Sequence, residues 1–238
     1  NVPGVFTNEV QGSPYQGDVT FRGFRASSIL GAAQGLSVYI DGIRINEPFG
    51  DVVNWDMIPE FALDNISIIP GSNPMYGLNT LGGALSLTTK SGLSHPGKVA
   101  RVSLGSFNRK KLDVSVAGKL SGGSSGDYFL SASHFDESGW RDHSDGKISN
   151  IFGKANKNTD FGSVGIMAYF GDSNLLGNGL LPSTNYGVED DVGAIQEPGL
   201  YEVKREAVYS HPDQTKNEVG LISLNFQNYI DDDTQLNG

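Results

Sequence analysis

Cysteine is absent from the 238 residues. That excludes disulfides, thiolate nucleophiles, cysteine zinc sites and Fe–S clusters. Long apolar runs are missing as well: nothing approaches the roughly 18 residues of a transmembrane helix. This does not touch a membrane barrel, whose strands give a much weaker signal. Basic residues are scarce, 17 Lys+Arg against 27 Asp+Glu, for a net charge of −10. A general nucleic-acid binder would show a basic surface, and a polybasic anchor on anionic lipid would show a Lys/Arg cluster. The chain is nevertheless 37% hydrophobic and 10% aromatic, too apolar for a disordered acidic segment.

What is abundant is glycine, 32 residues, which favours turn-rich β structure over helix. Residue 1 is Asn without a secretory leader pattern. The last residues, Asp231 to Gly238, read as a turn leading into a further strand. Both ends suit a piece of a longer protein. The sequence changes character near Gly92. Before it, Leu36–Ile40 and Ile43–Ile45 flank Asp41-Gly42, a tight-hairpin signal because the primed turn needs positive φ. Pro59–Leu63 suits a short helical turn with Pro at its start. Ile66–Ile69 and Ala84–Thr89 read as strands. The expectation is a small α+β unit with much loop over residues 1–92.

From residue 93 to 238 the period is two. Ala100, Val102 and Leu104 share one face, Arg101 and Ser103 the other. Leu112, Val114 and Val116 oppose Lys111, Asp113 and Ser115. Tyr128, Leu130 and Ala132 oppose Ser131 and Ser133, with Phe129 the exception. A fourth segment, Ile148 to Asn156, alternates poorly, because Ile151 and Phe152 fall on opposite faces. Val164, Ile166, Ala168 and Phe170 align on a fifth, and Ile222, Leu224 and Phe226 on a sixth. The connections are short turns at 121–126 and 157–160, a longer one at 138–147 and a very long one near 172–215. Short turns on one side and long loops on the other are the asymmetry of an outer-membrane barrel.

Four segments, in order, resemble a TonB-dependent outer-membrane receptor. They are Thr20-Phe21-Arg22-Gly23-Phe24; Val38-Tyr39-Ile40-Asp41-Gly42; Met57 to Ile68 followed by Pro70-Gly71-Ser72-Asn73-Pro74-Met75-Tyr76-Gly77; and Leu81 to Lys90. They cover about residues 15 to 90. The resemblance implies a mainly β protein, an α+β plug domain followed by antiparallel transmembrane β-barrel strands. It implies a truncated plugged barrel, of a kind with about 22 strands, from which this chain supplies about the first six with an extracellular loop near 172–215. It implies active import of a scarce nutrient, a ferric siderophore or similar iron chelate, across the Gram-negative outer membrane. The implied partners are TonB with ExbB–ExbD, acting through a box outside this sequence, an extracellular small-molecule ligand, and outer-membrane lipid. No nucleic acid, cofactor, metal or catalytic residue is implied, and the function is not enzymatic.

By the same resemblance the plug loops that face outward carry the ligand contacts: Gln11 and Tyr15 upstream of Arg22, and Asn46, Glu47, Phe49 and Asp51 after the hairpin. Arg22 is the expected plug–barrel contact. The family's second Glu and second Arg are here Ser67 and Pro70, so half of its plug–barrel ionic cluster is neutral, a change that need not destabilise a buried site. The bland reading of these loops is a solvated surface. Arg141-Asp142-His143-Ser144-Asp145 and Glu189-Asp190-Asp191 lack the spacing of a metal or catalytic site and read as polar loops. Two other classes remain in view. A soluble secreted carbohydrate-binding module requires a core closed between two sheets. A β-rich hydrolase requires turnover that His143→Ala abolishes.

Overall fold

The structure, a computed structural model, describes residues 3–9, 15–72, 74–120, 125–177, 205–206, 213–229 and 235–238. Three sheets account for the strands. The first is antiparallel: β1 (Val5–Glu9), β2 (Gly17–Phe21) and β3 (Phe24–Ser27). Its β2–β3 turn is Arg22-Gly23, both at positive φ. Nothing in the sequence singles out these strands, because each is only four or five residues long.

The second sheet has the order β5-β4-β7-β6, from β4 (Leu36–Ile40), β5 (Ile43–Arg44), β6 (Leu63–Pro70) and β7 (Gly83–Thr89). Central β4 pairs parallel with β7 and is covered on both faces, so Leu36, Ser37 and Val38 are consecutively buried. The Asp41-Gly42 hairpin forms as expected, with φ of 47° and 87°. Gly83 is obligatory: at φ 128° any Cβ would collide with the Ile69 carbonyl. The helical part of this unit reduces to three single 3₁₀ turns, Trp55–Met57, Glu60–Ala62 and Pro74–Tyr76. The second of them begins after Pro59, as its sequence suggests.

The third sheet is a seven-stranded antiparallel meander in chain order: β8 (Gly97–Leu104), β9 (Lys110–Lys119), β10 (Gly126–Glu137), β11 (Gly146–Thr159), β12 (Gly162–Gly177), β13 (Asp213–Tyr229) and β14 (Gln235–Asn237). Several strands outrun their sequence estimates. β11 reaches Thr159, leaving a two-residue turn at 160–161, and β12 continues to Gly177. The expected long loop therefore begins later, and most of it lies outside the described residues.

The alternation is inverted relative to a soluble sandwich. Ile151 is 63% exposed, and Val164, Ile166, Phe170, Ile222 and Leu224 are exposed on the same outer face. From Val164 to Phe170 this apolar strip runs about 20 Å along the strand, on the scale of a barrel's lipid-facing band. The opposite face packs on the second sheet. Phe129, Phe152, Met167 and Tyr169 join Val38, Ile40, Leu85 and Leu87 in one buried cluster. This explains the two irregular segments: Phe129 and Phe152 belong to the inner face and pack in that cluster, with ring centroids 6.1 Å apart. A soluble module would not leave an apolar strip of this length on its outer face.

Candidate functional site

The inner unit meets the wall through polar bonds that few sequence signals announce. At the tip of the β4–β5 hairpin Asp41 accepts from the Thr89 backbone N–H (2.9 Å), the Thr89 hydroxyl (2.5 Å) and Lys154 Nζ (2.8 Å). Both charged side chains are largely buried. Burial alone would raise the Asp41 pKa, but the bonds from Lys154 and Thr89 outweigh it and hold the carboxyl below its ordinary value. Lys154 is inward because it shares the parity of Phe152. Once that phenylalanine is placed, the lysine follows.

Two further links lie toward the rim that carries the longer connections. Asp56, in the first 3₁₀ turn, is buried; its Oδ2 accepts from Ser173 (2.5 Å) and Asn217 (2.9 Å). Glu60 pairs with Lys111 at 3.0 Å. On the other rim the segment after β7 is strapped to the wall. The Gly92 N–H donates to buried Asp127 (2.8 Å), and a Cβ at Gly92 would collide with the Gly118 and Tyr128 carbonyls.

The expected site residues separate into groups. Tyr15 reaches the wall: its hydroxyl donates to Glu137 (3.3 Å) and accepts from Arg109 (3.2 Å), while its ring tilts against Phe135 at 4.6 Å. Burial, partly offset by Arg109, pushes its pKa up to about 12. Asn46 and Asp51 are committed to holding their loop. The Asn46 side chain accepts from Val38 N–H (2.7 Å) and donates to the Leu36 and Asp51 carbonyls (3.2 Å each). Asp51 binds Arg44 and Asn79, each at 2.6 Å. Glu47 and Phe49 stay at the surface; Glu47 accepts from Asn54 at 3.1 Å and Phe49 is 78% exposed. Gln11 lies outside the described residues. Arg22 is exposed in its turn with its guanidinium over the Phe21 ring (5.0 Å). No carboxylate among the described residues pairs with it, because the turn carries it away from these strands.

Two cavities flank the first 3₁₀ turn. One, about 610 Å³, is bounded by Tyr15, Trp55, Asp56, Arg109, Lys111 and Phe135. The other, about 630 Å³, is bounded by Glu47, Asn54, Met57, Tyr169, Asn217 and Val219. Their walls mix apolar surface with a few convergent polar groups, the composition of a small-molecule site. Nothing local in the sequence marks Asp56, Arg109, Glu137 or Lys111, because each acquires its role only from a partner distant in the chain.

The Arg141–Asp145 loop is a structural turn. Ser144 donates to the Arg141 carbonyl (2.6 Å), and Asp142 meets residue 205 through its N–H (2.9 Å) and its carboxylate (3.7 Å). Glu189–Asp191 lie outside the described residues. Among the described residues no three potential metal-binding side chains converge.

Residues 1–84 match the TonB-dependent Receptor Plug Domain. Over 92 residues the chain is 33% identical to the ferric aerobactin receptor of Klebsiella pneumoniae and 32% to that of Escherichia coli. Each match takes in 37% of this chain and 12% of the relative's length. Among solved structures, the closed form of the ferric-catecholate import receptor Fiu from E. coli K12 superposes with a TM-score of 0.70 at 17% identity, covering 98% of this chain and 32% of that one. The ferripyoverdine receptor of Pseudomonas aeruginosa gives 0.66 at 16%, covering 95% and 28%.

Proposed function

We propose that this chain, a member of the TonB-dependent receptor family by its plug domain, is the plug and first wall strands of an importer that brings a ferric siderophore across the Gram-negative outer membrane. The plug extends through residue 92 and the wall begins at 93. The observation that carries this reading is the inverted seven-stranded sheet. Its apolar face points outward, and its inner face holds a plug by buried polar bonds. Lipid outside and a plugged lumen inside account for both faces. The similarity to ferric aerobactin receptors supports an iron chelate as ligand, as does the shared fold with other ferric-siderophore receptors.

In this role the ligand enters from the rim of long connections and settles against Tyr15, Glu47 and Phe49, beside the two cavities. Asn46 and Asp51 keep the loop in shape beneath it. TonB, driven by ExbB–ExbD, then displaces the plug. The chain's relatives are receptors, and its residues here bind and gate without making or breaking a bond in the ligand.

The test uses the complete reading frame in a host lacking its own siderophore receptors. Under iron limitation, uptake of radiolabelled iron is measured with ferric aerobactin first, then a panel of other chelates. The expected result is TonB-dependent uptake of one chelate, with heat-modifiable migration of the protein in the outer-membrane fraction. Phe49→Ala and Glu47→Ala weaken binding by about tenfold each, equivalent to about 1.4 kcal/mol, with the fold intact. A soluble, detergent-independent monomer would overturn the reading.

A further inference from the structure

The register of the third sheet sets its outward residues in transverse rows about 7 Å apart, two residues along each strand. One row runs Val114, Ala132, Ile151, Phe170, Gly220. Ala132 is small between Val114 and Ile151, and Gly220 is small beside Phe170 at the end of the row, so the surface is concave there. A groove of about 700 Å³ opens outward, floored by these two and walled by Leu112, Val114, Ile151 and Phe170. The row above it, toward the rim of long connections, holds Leu112, His134, Ser149, Asp172 and Glu218, the last four forming the polar edge of the groove. His134 Nδ1 lies 2.9 Å from Ser149 Oγ, while Asp172 and Glu218 stand directly opposite each other. One row higher come Lys110, Asp136, Lys147, Asn174 and Lys216. Lys147 lies 3.4 Å from Asp136; Lys110 and Lys216 have no carboxylate partner among the described residues.

We propose that this groove seats an acyl chain of a phosphorylated, acylated saccharide lipid of the outer leaflet, with the sugar against the middle row and a phosphate on the lysines. The order of the rows selects that chemistry. An acyl chain fills an apolar furrow. Next to it come two carboxylates and a hydroxyl, which accept hydrogen bonds from sugar hydroxyl and amide groups but repel a phosphate. Only beyond them, about 14 Å from the groove row, does positive charge appear. A glycerophospholipid carries its phosphate close to its acyl esters and would bring it against Asp172 and Glu218. A saccharide spacer carries it past them to the lysines.

This inference rests on the sheet being an outer-membrane wall, and the experiment separates the two. The full-length receptor, purified in mild detergent and stripped of lipid, is incubated with lipid A, with dephosphorylated lipid A and with phosphatidylglycerol. Retained lipid is read by native mass spectrometry. Lipid A is expected to be retained about tenfold over either competitor. That retention falls by about tenfold when the groove is filled by Ala132→Leu with Gly220→Val, and again in Lys110→Gln/Lys147→Gln/Lys216→Gln. Heat-modifiable migration shows that each variant has folded. Equal retention of phosphatidylglycerol, or retention unchanged in both variants, would overturn the lipid site while leaving the importer standing. A protein that never enters detergent micelles would overturn both.

Discussion

Asp41 serves two structures at once. Its position at the first residue of a primed turn satisfies the hairpin, where Asp tolerates positive φ. Its carboxylate, turned outward from that turn, joins the end of β7 to Lys154 of the wall. Removing one partner leaves the other buried and unpaired, at a cost of about 3–5 kcal/mol. Asp41→Ala or Lys154→Met alone should lower the thermal midpoint of the plug transition markedly. The double variant should recover part of that loss, since it leaves no orphan charge. The pH dependence has a definite sign. The folded pKa of Asp41 lies below the 3.8 of the unfolded chain, so its stabilisation is complete above pH 3.8. It disappears as pH falls through the lower folded value. Acid unfolding curves of wild type and Asp41→Asn should therefore converge only in that window. Tyr15 gives a second residue-scale prediction. A difference absorbance titration of wild type against Tyr15→Phe should show one phenol ionising near pH 12 rather than 10.0; ionisation near 10 would mean that Tyr15 is free of the wall.

Among the elements, the wall strands have two faces with opposite demands. Phe152 is buried on the inner face of β11, and Phe152→Ala should cost about 3–5 kcal/mol by opening a cavity against the plug. Ile166, on the outer face of β12, meets lipid in the proposed role. Ile166→Lys should cost about 2–4 kcal/mol in a bilayer, measured by reversible denaturant unfolding from vesicles. The strap after β7 is the other element with a sharp requirement. Gly92→Ala cannot be accommodated without displacing two strand carbonyls. It should loosen the Gly92–Asp127 bond and raise hydrogen exchange across residues 91–96, with exchange in β12 and β13 unchanged.

For the molecule as a whole, period-two patterning, the Asp41-Gly42 turn and the ordered plug segments were legible in the sequence, because each depends on residues close together in the chain. That was sufficient for a β wall, a tight hairpin and a family resemblance. Periodicity alone left undecided which face of each strand turns inward, since period-two alternation is the same for a strand facing lipid and one facing a soluble core. Packing decided it: with Phe129 and Phe152 set against the plug, the apolar residues opposite them had to face out. The site divided in the same way. Gln11, Tyr15, Asn46, Glu47, Phe49 and Asp51 could be proposed from their place in the loops. Only the folded chain distinguished Asn46 and Asp51, held by internal bonds, from Glu47 and Phe49 at the surface. Only tertiary structure brought Asp41 to Lys154, 113 positions away, and Asp56 to Asn217, 161 away. Sequence fixes what each short segment can be; long-range pairing, which no local pattern encodes, determines what each charge meets.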